Sequence, residues 1–441
     1  MKSMRETIAF TRATVLDGTR DMVPRPGATV VVEDGKIARV ADDGCAAIPR
    51  NARIIDLDGA HLMPGLINMH AHFCGSGRPV SAGDAGALMS KLDNAPGRSI
   101  VRHILKGSAQ TQLASGVTTV RGAGDPLLCD IAVRDAIDAG RYAGPRIVAP
   151  GCGVTVPGGH GAGLFARIAE TPEQAAGLVR EIAGAGADVI KLFVTGGVFD
   201  ATEPGEPGVL RMPLGLAAAA CSEAHEHGLP VMAHVESTEG VRVALEAGVD
   251  TIEHGAPMTP DIVELFLSGA TQLGGRPASL TCTISPALPF AKLDPEKTRS
   301  TQVQKINGDI VCEGIIQGAR DAIAHGIPVG LGTDSSCPYV TQYDMWREVA
   351  YFAKYAGVDN AFALHTATQV NARLLGLDDA TGAIEEGKDA DILVVRGNPL
   401  EDLSALREPM HVVARGVPAD RLRVKRMPDL DRELDWIMAQ D

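Results

Sequence analysis

Eight short apolar runs alternate with helical segments along the middle of the chain and predict an α/β fold, a (β/α)8 TIM barrel of parallel strands. Two short all-β stretches at opposite ends of the chain predict a small discontinuous β-sandwich domain beside it. Most of the middle runs are apolar throughout, as strands covered on both faces should be. The pattern changes define the boundaries: 1–63 as the first part of the sandwich, 64–375 as the barrel, 376–441 as the second part. A chain of 441 residues is long enough, since α/β barrels alone run to ~250 residues or more.

At the N-terminal end, ATVVVE at 28–33 and KIARV at 36–40 flank Asp34-Gly35, a strong hairpin signal. Arg53–Leu57 is a further alternating run. At the other end, DILVV at 391–395 and HVVA at 411–414 are bounded by Gly or Pro. Neither piece can bury a core alone, so the two are expected to pack together.

In the middle, the eight strand candidates are Leu66–His70, Val117–Arg121, Ile147–Ala149, Val189–Val194, Val231–Val235, Thr251–His254, Leu280–Ile284 and Val329–Thr333. Thr171–Ala185, Leu214–His227, Thr238–Ala247 and Thr301–His325 read as helices between them. Gly186, Gly228, Gly248 and Gly326 follow these helices, where a left-handed cap is needed, and each leads closely into the next strand.

Composition narrows the function classes. A net charge of −14 disfavours a phosphate backbone or an anionic membrane surface as partner. Aromatics at 4% and 50 glycines suit an aliphatic core with many short turns. The opening MKSMRETIAF lacks the apolar stretch of a secretory signal, and no run of 18 apolar residues exists to cross a membrane, so a cytoplasmic protein is expected. The eight cysteines include no C-x-x-C pair and read as mostly buried, reduced thiols.

The chemistry sits at predicted strand ends. His70 and His72 lie two apart on one strand, so both imidazoles face the same side, at the C-terminal end where barrel active sites are built. Such a pair is half of a zinc-type site, or an accident when it stands alone. It does not stand alone: Lys191, His234, His254 and Asp334 fall on the fourth, fifth, sixth and eighth candidates. Six residues of metal-site type on five strands of one barrel make a chance arrangement improbable. His225, His227 and His325 belong to helices, and His61, His103, His365 and His411 lie away from barrel strand ends, so solvated or structural roles are expected for them.

The motifs PGLINMHAH at 64–72, GVTTVRGAG at 116–124, GADVIKLFVTGGV at 186–198, VMAHVESTEG at 231–240, AGVDTIEHG at 247–255 and GLGTDSS at 330–336 carry a resemblance over nearly the whole chain. The sequence resembles the amidohydrolase superfamily, within it the imidazolonepropionase-like and prolidase-like group. TGAIEEGKDADILVVRGNPLED at 381–402 looks like the family's return from barrel to β domain. The resemblance implies two divalent metal ions, zinc first among the candidates. His70 and His72 would bind the more buried ion, and His234 and His254 the second. Lys191, carboxylated by CO2, would bridge both, and Asp334 would touch the first ion and move protons. The lysine reading agrees with elementary chemistry, because an ammonium has no lone pair and cannot be a ligand, whereas a carbamate is an anionic two-oxygen bridge. The implied reaction is attack of a metal-activated water on a carbonyl, Asp334 taking the water's proton and returning it to the leaving amine. Family members are often oligomers, which makes a homo-oligomer the expectation here.

Substrate identity is less explicit. TVPGGHG at 155–161 resembles a stretch that lies over the active site in the prolidase-like group, so His160 is a candidate substrate contact or part of a structural glycine-rich loop. Glu236 departs from the group, where an aromatic residue or His often stands two positions after the strand-five His. It could repel a substrate carboxylate or attract a cationic group. H-x-E at this strand also occurs in dihydropyrimidinase-type hydrolases, whose strand-six pattern differs from IEHG. Deaminases of the superfamily lack the strand-four lysine and carry Glu where Ser237 stands here. The leading expectation is a small-molecule hydrolase cleaving a linear amide, a dipeptide or N-acyl amino acid. The alternatives are hydrolysis of a cyclic amide, urea or carbamate-like compound, and a catalytically silent barrel.

Overall fold

The computed structural model describes residues 6–42, 47–79, 90–198 and 201–440. Cys45 and the first five residues of the opening segment lie outside the described residues. The chain starts with β1 (Ile8–Val15), β2 (Arg25–Glu33), β3 (Lys36–Ala41), β4 (Arg53–Asp56) and β5 (His61–Pro64). β2 and β3 form the antiparallel hairpin expected around Asp34-Gly35, both of which have positive φ as a tight two-residue turn requires.

β6 (Leu66–Ala71), β7 (Val117–Gly122) and β8 (Arg146–Val148) form a three-stranded parallel sheet. β9 (Gly153–Thr155), β10 (Ala166–Ile168), β11 (Ile190–Phe193), β12 (Val231–Val235), β13 (Thr251–His254), β14 (Ser279–Cys282) and β15 (Val329–Leu331) form a seven-stranded parallel sheet in the order β10-β9-β11-β12-β13-β14-β15. This α/β arrangement is consistent with a TIM-like barrel. Backbone hydrogen bonds also join the two sheets: Thr333 and Asp334 N–H donate to His70 O at 3.0 and 2.8 Å, and Asp188 N–H donates to Ala149 O at 2.8 Å.

β16 (Ile392–Val395), β17 (His411–Ala414) and β18 (Val417–Pro418) return to the first strands. β16 pairs antiparallel with β5, giving one eight-stranded sheet ordered β18-β17-β16-β5-β1-β2-β3, with β4 beside β1. Its apolar core includes Ile8, Phe10, Val30, Val32, Leu62, Ile392, Val394 and Val413.

The expected helices appear as Pro172–Gly184, Leu214–Glu226, Thr238–Ala247 and Gln302–Ala324. Thr171, Ser237 and Thr301 accept backbone N–H bonds at the N-termini, and Thr301 forms a full capping box with Gln304. Gly186, Gly228, Gly248 and Gly326 all adopt positive φ at the C-terminal ends.

Three details differ from expectation. The third strand is broken: β8 ends at Val148 and β9 begins at Gly153, because Pro150 has no N–H to give a ladder. Thr155, at the head of the glycine-rich stretch, is therefore strand, and β10 follows that stretch. The eighth strand ends at Leu331, so Asp334 stands three residues beyond it. The seventh likewise ends at Cys282 rather than Ile284. No helix among the described residues is long and apolar enough to cross a membrane. The seven described cysteines are free thiols.

Candidate active site

The parallel strands deliver their chemistry at one end. His70 is on β6 and His72 just past it, while Lys191 is on β11, His234 on β12 and His254 the last residue of β13. Asp334 follows β15. All six, with His160 and Glu236, line a single cavity of about 520 Å3. His254 and Asp334 both hold left-handed backbone, φ 70° and 56°, which non-glycine residues adopt at a cost and which clusters at functional sites.

Each histidine has one ring nitrogen engaged. His70 Nδ1 donates to Glu253 Oε2 at 2.6 Å, His72 Nδ1 to the Gly124 carbonyl, and His234 Nε2 to the Gly196 carbonyl at 2.6 Å. His254 Nδ1 lies 2.7 Å from Thr283 Oγ1. A carboxylate or carbonyl can only accept, so these ring nitrogens are the donors, and in a neutral imidazole the opposite nitrogen carries the lone pair. His70 Nε2 and His72 Nε2 face Asp334 Oδ1 at 3.3 and 3.5 Å. His70, His72 and Asp334 form a group of ligand atoms all within 4.8 Å of one another, an arrangement a divalent cation satisfies.

The His70–His254 and His254–His234 ring centroids are 4.9 and 4.6 Å apart, so the four histidines form one cluster. Burial pushes His72 down to about 4 and His234 and His254 well below the usual imidazole range, which keeps these rings neutral and able to donate lone pairs. Lys191 is 1% exposed, and its Nζ has no hydrogen-bond partner among the described residues, lying 4.9 Å from the Phe193 ring centroid. Burial lowers it to about 8.

Sequence reasoning missed the support beneath this cluster. Glu253 is fully buried; its Oε2 holds His70 while its Oε1 accepts from Arg121 Nη2 at 2.7 Å. Arg121 Nη2 also donates to Thr281 Oγ1, and its Nε donates to Met69 O. Burial works against the Glu253 charge, but Arg121 and His70 hold its carboxyl below the usual range. Both charges stood in motifs already noted, GVTTVRGAG and AGVDTIEHG; a charge on an otherwise apolar barrel strand was the available signal.

One wall of the cavity is aromatic. The His160 ring stacks on His234 at 4.6 Å and meets Phe193 at 5.4 Å and Phe165 at 5.9 Å; Phe165 in turn lies 4.8 Å from His72. The glycine-rich turn and Gly197 permit this: a Cβ on Gly197 would stand 2.5 Å from His160 Nδ1. Phe165 carried no sequence signal of its own.

Comparison with known proteins places this geometry in context. The model of the amidohydrolase family matches residues 61–417. A solved structure from Bifidobacterium longum, provisionally assigned as a prolidase, is 39% identical, covers 99% of this chain and 100% of its own, and superposes with a TM-score of 0.88. A Xaa-Pro dipeptidase solved with bound methionine is 27% identical over 94% of this chain and 99% of its own, TM-score 0.78. Ochratoxinase of Aspergillus niger is 26% identical over 426 aligned residues, 89% of this chain and 82% of the fungal protein. The chain belongs to the amidohydrolase family, hydrolases of carbon–nitrogen bonds.

Proposed function

We propose that this protein is a binuclear metal-dependent amidohydrolase that cleaves the C–N bond of a small linear amide, a dipeptide or an N-acyl amino acid. The observation that carries the reading is Lys191: a buried amine with no hydrogen-bond partner among the described residues, set among four histidines in one cavity. A lysine left as a bare cation there would be costly, while a CO2-derived carbamate would serve as an anionic bridge. His70 and His72 would hold one ion, His234 and His254 a second, with Lys191 between them and Asp334 beside the first. The frame is proposed as a closed (β/α)8 barrel over 64–375, with 1–63 and 376–441 forming one β-sandwich domain, in a homo-oligomer.

Bound there, divalent ions supply a water acidic enough to ionise near neutral pH and positive charge for the developing oxyanion. Asp334 takes the proton of the attacking water and delivers it to the leaving nitrogen. Glu253, Gly124, Gly196 and Thr283 each engage one nitrogen of the four imidazoles and so orient the other nitrogen toward a ligand. His160 and Phe165 line one wall of the cavity.

The test is amine release from dipeptides, N-acyl amino acids and cyclic amides, with Zn, Mn or Co plus bicarbonate and with Asp334→Asn as control. Release from linear amides that disappears in the variant supports the reading. Silence on linear amides with turnover of a cyclic amide, urea or carbamate overturns the substrate class. An enzyme that binds no metal overturns the mechanism.

A further inference from the structure

Glu348 lies on the helix Met345–Ala356 and is fully buried. No ion pair holds it among the described residues; the adjacent Arg347 pairs with Asp344 and Asp435 at 3.1 and 2.7 Å. Backbone holds it instead. Ile284 N–H donates to Oε1 at 2.7 Å and Ser285 N–H to Oε2 at 2.8 Å, from 64 and 63 positions away along the chain. The Ser285 hydroxyl donates to Oε2 as well.

The segment so held is the exit of β14. That strand ends at Cys282, whose carbonyl accepts from Gly332 N–H. Thr283, Ile284 and Ser285 follow, all buried. A buried N–H beyond the ladder needs another acceptor, and Glu348 supplies two. On one side of this grip, Thr283 Oγ1 lies 2.7 Å from His254 Nδ1. On the other, Pro286 and Ala287 line the cavity, while Glu348 itself does not. An apolar side chain could fill the same space but would leave both N–H groups unpaired. What the carboxyl adds is a fixed backbone path between the partner of a cluster histidine and a wall of the cavity.

We propose that Glu348 is a positioning residue: it sets the turn after β14 so that Thr283 meets His254, and through that contact it governs how firmly the cluster holds a metal ion. The inference rests on the metal-hydrolase reading and adds to it a residue that touches neither substrate nor ion.

The test is zinc retention by the full-length protein in competition with a chelator, well below the melting temperature. Glu348→Gln keeps the volume but has one accepting oxygen, so it cannot serve both N–H groups. It should weaken retention about 10-fold. In a Thr283→Val background it should add no further loss, because both changes act through one contact. Ser285→Ala removes only the hydroxyl and should weaken retention by about 3-fold, which keeps the test open if Glu348→Gln folds poorly. Phe10→Ala, destabilised in the other sheet, is the control for a general loss of stability and should retain zinc as the wild type does. A lower melting temperature with unchanged retention in both Glu348→Gln and Ser285→Ala overturns the proposal, and so do losses that multiply in the double variant. The ring signals of His254 in metal-free protein labelled with 15N-histidine need no ion: Glu348→Gln should shift them as Thr283→Val does and leave those of His411 in place. A wild type that holds no zinc sinks the metal-hydrolase reading; His254 signals unmoved by Glu348→Gln sink the positioning role.

Discussion

The eight-stranded sheet made by the two chain ends and the strand-end cluster around His70 are both buried, yet they are held by opposite means. The sheet core is aliphatic with one phenylalanine, Phe10, and its partners are interchangeable in kind. The cluster buries four imidazoles, a lysine, two carboxylates and, beneath them, an arginine. Burial alone stabilises the first. The second persists only where each charge or ring nitrogen meets a specific partner, because an unpaired buried charge costs several kcal/mol. The sheet is therefore expected to govern stability without touching chemistry, and the cluster to couple the two.

The largest effect should come from chemistry without stability. Asp334→Asn is expected to lower amine release by about 10²–10⁴-fold with the folded structure retained, read by kcat beside a thermal melt. A variant that loses activity only in proportion to its folded fraction would remove Asp334 from proton transfer. Next, Arg121→Met leaves Glu253 buried against His70 alone, and should cost roughly 3–5 kcal/mol in chemical unfolding together with activity. The contrasting change is Phe10→Ala in the sheet, about 3–5 kcal/mol less stable by the same measurement but with activity per folded molecule preserved. If Phe10→Ala lowered kcat as Arg121→Met does, the two regions would not be separable. Thr283→Val removes the partner of His254 Nδ1 and should weaken metal retention about 10–100-fold, read by competition with a chelator.

A pH experiment sharpens the role of Lys191. Only a neutral amine adds CO2, and burial lowers Lys191 to about 8, so its neutral fraction grows as pH rises through that value. Reactivation of enzyme stripped of metal and CO2 should therefore speed up with pH between about 7 and 9 at constant dissolved CO2, approaching a plateau above the lysine's value. A rate independent of pH over that window would argue against carbamate formation.

Much of this molecule was legible along the chain because the signals are local. The helix ends at Gly186, Gly228, Gly248 and Gly326 follow from the left-handed conformation that glycine adopts without strain. His70, Lys191, His234 and His254 were found on their strands because short, mostly apolar runs of strand length that carry an isolated ionisable residue announce themselves within a few positions. Asp334 was found but misplaced on its strand, since its turn is set by hydrogen bonds to His70 O, across the chain rather than along it.

What the sequence by itself determined was the order of strands and helices, the hairpin at Asp34-Gly35 and the residues that converge on one cavity. Only the tertiary structure decided which atoms of those residues are left to act. His70 is oriented by Glu253, 183 positions away, and Glu253 by Arg121, 132 positions away. The pairing of β5 with β16 and the stacking of His160 on His234 are likewise contacts between distant segments. Propensity and periodicity describe a residue among its neighbours in sequence; the free nitrogen of an imidazole is chosen by whatever acceptor the fold brings to the other one.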